Sequence, residues 1–262
     1  MVENRPGAAG TLAADNVVKS APDGYTLLFS DNSTWSIDPH LFAKLPYDPL
    51  KDLVPVVQIG LLPVFLVVHE SVPVSTVDEL IAYLKKNPGK LHYGSAGPGS
   101  MHQLAAEWFK SLTGTDIVHV PYKGAAQVGG AIMSGEVQLA FMGYTGAAPA
   151  IQAGKAKVLA VGTEKRVPSK PTIPTINEAG VKGFFMSASV GLNAPAGTPP
   201  AVIARIAGAV SGALKAPDVA ARLTDLGIVS TPTSTPEEFA RTVRSDYQKF
   251  GDLVKQIGVK VD

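Results

Sequence analysis

The sequence predicts an α/β fold built on a parallel or mixed sheet. Short apolar runs alternate with helical patterns at the spacing of β–α–β units. Three of the predicted strands end in polar or glycine-bearing loops, and in open α/β sheets ligands bind where strands end. After residue 195 the pattern is helical, so a helical region follows the last predicted strand.

The predicted strands are apolar runs rich in β-branched and aromatic residues. They cover residues 25–29, 54–60, 64–68, 91–93, 117–120, 137–142, 158–161 and 189–195. The first run is apolar throughout, which predicts a strand that is buried on both faces.

The predicted helices are recognised by their spacing of apolar residues and by their caps. They cover residues 11–20, 75–86, 101–112, 125–134, 147–153, 199–214, 216–226 and 236–257. We expect Thr11, Ser75 and Thr235 to be N-caps, and Gly114 to end the helix that begins at Met101.

Composition excludes several classes of protein. The 262 residues carry a net charge of +1 with no block of like charges, which argues against a nucleic-acid-binding protein. There is no cysteine, so disulfides, zinc–thiolate sites and cysteine nucleophiles are excluded. No apolar run approaches the roughly 20 residues of a membrane span. The first residues lack a basic-then-apolar leader, which predicts a cytoplasmic chain or one whose leader has been removed.

The familiar catalytic and cofactor motifs are absent from the sequence. The five histidines lack metal-ligand spacing, so no metal site is expected. The glycines of residues 94–99 are spaced Gly-x-x-Gly-x-Gly, which matches neither a Rossmann fingerprint nor a P-loop. A Gly-x-Ser-x-Gly elbow is also missing, so we expect no catalytic residue and no cofactor.

Residues 94–100 form the most informative stretch. A strand enters a loop of glycine and serine that opens into a helix, and this arrangement gathers backbone N–H groups at the positive end of a helix dipole. It suits an anion such as a carboxylate, but a tight turn with Ser100 as N-cap explains the same residues. Residues 30–34 are equally open to a ligand loop or a set of helix caps, and Tyr122 and Tyr144 to packing or ligand contact.

Five stretches together resemble a known family. They are Val2-Glu3-Asn4-Arg5-Pro6-Gly7-Ala8, Ala21-Pro22-Asp23-Gly24-Tyr25-Thr26-Leu27-Leu28, Gly94-Ser95-Ala96-Gly97-Pro98-Gly99-Ser100-Met101-His102, Val120-Pro121-Tyr122-Lys123-Gly124 and Ala194-Pro195-Ala196-Gly197-Thr198-Pro199. In this order they resemble the Bug-type, TctC-like solute receptors of tripartite tricarboxylate transporters.

The resemblance implies a type II periplasmic-binding-protein fold with two α/β lobes, mixed sheets and a cleft between the lobes. Lobe one would comprise residues 1–67 and 189–262, and lobe two residues 68–188, with crossings near Val67-Val68 and at residues 187–189. The implied function is periplasmic capture of a small carboxylate, such as a di- or tricarboxylate, an acidic amino acid or an aromatic acid, for delivery to a membrane permease. This is a binding function and not an enzymatic one.

The resemblance also implies ligand contacts, mostly through backbone amides and ordered water. From lobe two they would be Ser95, Ala96, Gly97, Gly99, Ser100, Tyr122, Gly124, Tyr144 and Thr145. From lobe one they would be Asn32, Ser33 and Thr34.

Two departures from the family pattern bear on function. Family members carry a first strand, a glycine-rich loop and a first helix before the first matching stretch, and a tryptophan is frequent near Ser189. We therefore keep two alternatives to transport: a sensor that presents its carboxylate to a signalling partner, and an inactive truncated remnant. An enzyme on a similar fold is the least favoured reading.

Overall fold

The chain divides into two compact units in the computed structural model, which describes residues 1–5 and 10–259. Unit 1 comprises Met1–Leu61 and Ala188–Asp262, and unit 2 is Leu62–Ser187. The first boundary precedes the expected crossing at Val67-Val68, because both of those valines pair with other strands of unit 2. Part of the first family motif, residues 6–8, lies outside the described residues.

The eight predicted strands are present to within a few residues, and a ninth strand, Val229–Ser230, was not predicted. The strands are β1 (Leu28–Asp31), β2 (Leu53–Pro63), β3 (Phe65–His69), β4 (His92–Ser95), β5 (Val118–Pro121), β6 (Leu139–Met142), β7 (Ala156–Val161), β8 (Ser187–Pro195) and β9 (Val229–Ser230).

The eight predicted helices are present in order, whereas the short helices Asp38–Leu41 and Pro49–Asp52 were not predicted. A π-helical turn at Ser33–Ile37 precedes the first of these two. The helices are α1 (Thr11–Val18), α2 (Asp38–Leu41), α3 (Pro49–Asp52), α4 (Val77–Lys86), α5 (Met101–Thr113), α6 (Ala125–Ser134), α7 (Tyr144–Gln152), α8 (Pro200–Leu214), α9 (Pro217–Asp225) and α10 (Pro236–Ile257).

The structure confirms two of the four predicted helix caps. Thr235 caps α10 and Gly114 ends α5, as predicted. The N-cap of α4 is Thr76 and not Ser75, since the Thr76 hydroxyl accepts from the Glu79 amide. The N-cap of α1 is Gly10, which has a positive φ, and not Thr11, which is the first residue of the helix.

Unit 1 has a sheet with strand order β1-β8-β2-β9. Leu28 of β1 is buried against Ala14 and Val17, whereas the next residue, Phe29, is 61% exposed. Tyr25, which precedes the strand, is 93% exposed. The prediction of a strand buried on both faces is therefore wrong. Within the described residues β1 lies at a sheet edge, and alternate side chains of a strand point to opposite faces.

The longest helix of unit 1, α10, packs against the π-helical turn. Trp35 of the turn meets Phe239 of α10 edge to face, with 5.6 Å between ring centroids. Both rings are fully buried and Val243 completes this cluster. The contact fixes the turn that follows β1, which carries three of the predicted ligand residues.

Unit 2 has a mixed sheet with strand order β5-β4-β6-β3-β7. Strand β4 runs parallel to β5 and β6, while β3 is antiparallel to β6 and to β7. Strands β4, β5, β6 and β7 therefore all point the same way. Their carboxyl ends meet at one edge of the sheet, which we call the carboxyl edge.

An aromatic cluster supports the carboxyl edge from inside unit 2. Phe109 of α5 lies 5.5 Å from Phe141 of β6, measured between ring centroids, and Phe184 lies 5.9 Å from Phe141. All three rings are fully buried. This packing ties α5 to the sheet, so the loop that leads into α5 is anchored at both ends.

Candidate functional site

The carboxyl edge of unit 2 brings together most of the predicted ligand residues. Ser95 ends β4, Tyr122 follows β5, and Tyr144 and Thr145 follow β6. The Tyr122 amide donates to the carbonyl of Ser95 at 2.9 Å, so the first two segments are in direct contact. Thr145 is exposed on the first turn of α7. Whether these residues touch a ligand stays a prediction.

The loop between β4 and α5, residues 95–100, needs its glycines. Gly97 and Gly99 have φ angles of 118° and 77°, in the region that favours glycine. A Cβ atom built on Gly97 would lie 3.3 Å from the carbonyl oxygen of Tyr122. Ser100 caps α5 as the turn interpretation predicted, with its hydroxyl accepting from the Gln103 amide.

The Ser95 side chain stabilises this loop from within by hydrogen bonds. Its side chain is fully buried, and its hydroxyl lies 3.2 Å from both the amide nitrogen and the carbonyl oxygen of Gly97. It also lies 2.6 Å from Nε2 of His119 on β5. The hydroxyl therefore has three partners within unit 2, and they hold the turn at Gly97 in place.

The side chain of Gln103 also stabilises this loop, a role that was not predicted from the sequence. Its Oε1 accepts from the Gly99 amide at 2.7 Å, and its Nε2 lies 3.4 Å from Nδ1 of His119. The signal was present as a capping-box pattern, Ser100 followed three residues later by Gln103. Here the glutamine reaches back one residue beyond the N-cap.

The start of α5 keeps backbone donors available. Within residues 10–259, the N–H groups of Ala96, Met101 and His102 have no hydrogen-bond acceptor in the structure. Two of them belong to the first turn of a 13-residue helix, whose dipole places partial positive charge there. Such a set of donors attracts an anion.

His102 is neutral at physiological pH. Burial lowers the pKa of His102 to about 4. Among the described residues its Nδ1 is buried without a hydrogen-bond partner. The first turn of α5 therefore carries an uncharged imidazole, which leaves the backbone dipole as the local source of positive charge.

The tyrosines of the carboxyl edge are held by packing. The Tyr122 ring covers Gly94, where an added Cβ atom would lie 3.3 Å from Cε2 of the ring. Burial, with a further contribution from Glu136, raises the pKa of Tyr122 to about 12, so its hydroxyl stays protonated. The Tyr144 ring stands edge-on to Phe65, with 5.5 Å between centroids. Gly124 is the N-cap residue of α6.

A lysine side chain that was not among the predicted ligand residues also lies at the carboxyl edge. Nζ of Lys170 is 3.5 Å from the centroid of the Tyr144 ring. Lys170 belongs to the proline-rich segment after β7, where no periodic pattern marks the position of a side chain. Strands β6 and β7 run in the same direction, so the segments that follow them, with Tyr144 and Lys170, leave the sheet at the same edge.

The three predicted residues of unit 1 are mostly internal. Asn32 and Thr34 are buried, with Asn32 donating to Asp246 at 3.4 Å and the Thr34 hydroxyl 2.8 Å from that of Ser30. Ser33 is half-buried, and its amide donates to the Asp31 carboxylate at 2.9 Å. Asn32 is the N-cap residue of the π-helical turn but its side chain caps no amide, so the helix-cap interpretation of residues 30–34 accounts only for the contact of Asp31 with the Ser33 amide. Their role toward a ligand stays a prediction.

Unit 1 also buries the carboxyl group of Asp38, the residue that follows the π-helical turn. Burial, and then the charge of Asp31, raises the pKa of Asp38 to about 8. Neither oxygen of Asp38 has a hydrogen-bond partner among the described residues. Ser189 is likewise buried and donates to Asp246 at 3.2 Å, so it is part of the interior of unit 1.

The described residues include neither a metal-binding cluster nor a membrane-spanning helix. Within residues 1–5 and 10–259, no group of three or more histidine, aspartate or glutamate side chains is placed to hold a metal ion. Across the same residues, no helix has the length and apolar character needed to cross a membrane.

Comparison with known proteins defines the class as solute receptors with two α/β units. An adipate-bound protein of R. palustris has a TM-score of 0.89 and 32% identity, covering 99% of this chain and 87% of that one. The malate-bound MatC of Rhodopseudomonas palustris has a TM-score of 0.83 and 35% identity, covering 95% and 85%.

The family follows from two sequence matches. The model described as "Tripartite tricarboxylate transporter family receptor" matches residues 1–259. A UPF0065 protein of Bordetella pertussis is 34% identical over 260 residues, which cover 99% of this chain and 80% of that protein. The chain belongs to the tripartite tricarboxylate transporter receptor family, as the sequence motifs indicated.

Proposed function

We propose that this receptor captures a small dicarboxylate at the carboxyl edge of unit 2. The observation that carries the proposal is the set of unpaired N–H groups at Ala96, Met101 and His102. The neighbouring donors of the loop are already used, by Ser95 for Gly97 and by Gln103 for Gly99. Two of the unpaired donors, Met101 and His102, belong to the first turn of α5, where a carboxylate is favoured by the helix dipole.

The charges of the site fit a doubly charged ligand. One carboxylate would accept from the first turn of α5, and Lys170 supplies a positive charge on the same sheet edge for the second. Tyr144 offers a hydroxyl group, and ordered water bridges donors to ligand oxygens at little cost. Adipate and malate, the ligands in the two solved relatives, are both dicarboxylates.

The biological setting that we propose is periplasmic. The receptor would bind its carboxylate there and present it to the membrane permease of a tripartite transporter. The family match and the relatives described as periplasmic support this setting. Recognition of the loaded form by a permease requires a change on binding, which for such receptors is closure around the ligand.

Calorimetry and thermal unfolding test the binding function. We expect adipate or malate to raise the melting temperature, since a ligand at 100 times its Kd stabilises the folded state by about 2.7 kcal/mol. The uncharged diol of adipate's length, 1,6-hexanediol, is the matched control and should produce no shift. If no dicarboxylate of four to six carbons binds, the proposal is wrong.

A proline variant tests the role of the backbone donors. Met101→Pro removes one N–H at the first helical position, where proline is tolerated, and Ser100 already has the extended ψ of 151° that a following proline requires. Met101→Ala loses the same side chain but keeps the N–H. We expect the proline variant to bind about tenfold more weakly than the alanine variant. Equal affinities would place the carboxylate elsewhere.

A further inference from the structure

A series of hydrogen bonds links the loop at residues 95–100 to β5, and its donors and acceptors can be assigned in only one way. The amide of Gly99 can only donate, so the atom of Gln103 that it meets must be the carbonyl oxygen. The NH₂ group of Gln103 then faces Nδ1 of His119, at 3.4 Å. Because an amide NH₂ only donates, Nδ1 must be the unprotonated, accepting nitrogen of the imidazole.

The same logic fixes the other end of the series. With Nδ1 as acceptor, the proton of a neutral His119 is on Nε2 and is donated to the Ser95 hydroxyl at 2.6 Å. The hydroxyl also accepts from the Gly97 amide and donates to the Gly97 carbonyl. One donor and two acceptor positions of a hydroxyl are thereby filled.

Protonation of His119 breaks this pattern. An imidazolium carries N–H groups on both nitrogens, so Nδ1–H would face the NH₂ of Gln103 as one donor against another. Rotating the glutamine amide would satisfy His119 but would turn NH₂ toward the Gly99 N–H. Either arrangement loses a hydrogen bond that holds the loop.

The surroundings of His119 favour its neutral form. Its ring stacks on Tyr93 of β4, with 4.8 Å between centroids. Burial lowers the pKa of His119, and Lys110 lowers it further, while Glu107 acts in the opposite direction. Glu107 is itself paired with Lys110 and accepts from the Tyr93 hydroxyl.

We infer that Gln103 and the Nε2–H tautomer of His119 are positioning residues that hold the loop at Gly97 and Gly99 in its carboxylate-binding conformation. The inference rests on the proposed binding function and adds a pH dependence to it. Because the neutral form is required, affinity is full above the pKa of His119 and falls as the pH drops through it. Neither residue needs to touch the ligand.

A non-titrating variant separates positioning from packing. His119→Gln retains an N–H that can reach Ser95 but cannot gain a proton, whereas His119→Phe keeps a ring against Tyr93 and loses both hydrogen bonds. We expect the phenylalanine variant to bind about tenfold more weakly at pH 7.5, and the glutamine variant to restore affinity.

The pH profile is measured as a ratio of affinities. Dividing the adipate affinity of the unsubstituted protein by that of His119→Gln at each pH cancels the ionisation of the ligand. The ratio should be constant from pH 6.5 upward, because burial lowers the pKa of His119 below its ordinary value of 6.5, and it should fall at the pH where ¹⁵N spectra show His119 gaining a proton. A ratio that stays constant while the spectra show protonation would overturn the inference.

Gln103→Glu provides an independent readout. Glutamate keeps an acceptor for Gly99 but places an acceptor against Nδ1, which favours the imidazolium. The imidazolium of this variant is satisfied at both nitrogens, so we expect its affinity not to fall as His119 gains a proton, and ¹⁵N spectra to show a raised pKa of His119. The unsubstituted protein should show the Nε2–H tautomer in those spectra. The Nδ1–H tautomer would overturn the inference, whereas absence of dicarboxylate binding at pH 7.5 would overturn only the proposed function.

Discussion

Lys170 lies over the ring of Tyr144, with its Nζ atom 3.5 Å from the ring centroid. The two residues follow β7 and β6, which run in the same direction, so their meeting is a consequence of the sheet. A cation over an aromatic face is attracted by the ring and is held in one place. The contact thus sets a fixed positive charge at the carboxyl edge.

Lys170→Met should weaken dicarboxylate binding about fivefold, since a partly exposed charge contributes up to about 1 kcal/mol. The effect should shrink as salt is added. Lys165→Met changes an exposed lysine of the same segment and is the matched control for net charge. Calorimetry at low and high salt measures both variants, and an equal loss in the two would contradict a local role for Lys170.

Gly97→Ala should damage the binding loop. Alanine at a φ of 118° costs roughly 1–3 kcal/mol of strain, and its Cβ atom would press on the Tyr122 carbonyl. We expect lower stability in urea unfolding and weaker ligand binding.

Gly212→Ala is the control for Gly97→Ala, because it lies in α8 with no atom within 4 Å of an added Cβ. It should raise stability by about 0.5–1 kcal/mol. If Gly97→Ala binds the ligand as tightly as the unsubstituted protein, the loop conformation does not matter for binding.

Asp38→Asn should stabilise unit 1 at neutral pH and remove a pH dependence. The folded-state pKa of Asp38, about 8, exceeds the ordinary value of 3.8, so the folded state binds more protons between these limits. The free energy of unfolding therefore falls as the pH rises through this window. At pH 7 the cost is up to roughly 4 kcal/mol.

Asparagine resembles the protonated acid and does not titrate, so the pH-dependent cost should disappear. Urea unfolding at pH 5, 7 and 8.5 measures how the free energy of unfolding depends on pH. Asp225→Asn, at an exposed position, is the control and should keep the original pH profile. An unchanged slope in Asp38→Asn would contradict a raised pKa.

Thr235→Ala should destabilise the protein by about 1 kcal/mol, the usual cost of losing an N-cap. The Thr235 hydroxyl accepts from the Glu238 amide at 3.2 Å, and Glu238 accepts in return from the Thr235 amide at 3.0 Å. Thr235→Ser keeps the hydroxyl and should unfold at nearly the same urea concentration. Equal destabilisation by alanine and serine would show that packing of the methyl group matters more than the cap.

Local signals were enough to predict much of the fold. Thr235 and Pro236 mark the start of α10, and Gly114 marks the end of α5, because caps depend on residues within one helical turn. Burial was harder to predict. Phe29 is exposed although its run is apolar, since the face on which a strand residue lies depends on what packs there.

The sequence by itself determined the order of most strands and helices, the family, and the glycine-rich loop as the place where donors gather. Each of these follows from residues close together in the chain or from ordered motifs. Only the tertiary structure decided that His119 meets Ser95, that Lys170 meets Tyr144, and that Asn32 faces Asp246. Such contacts arise from the direction and register of strands, and these depend on the packing of the whole unit.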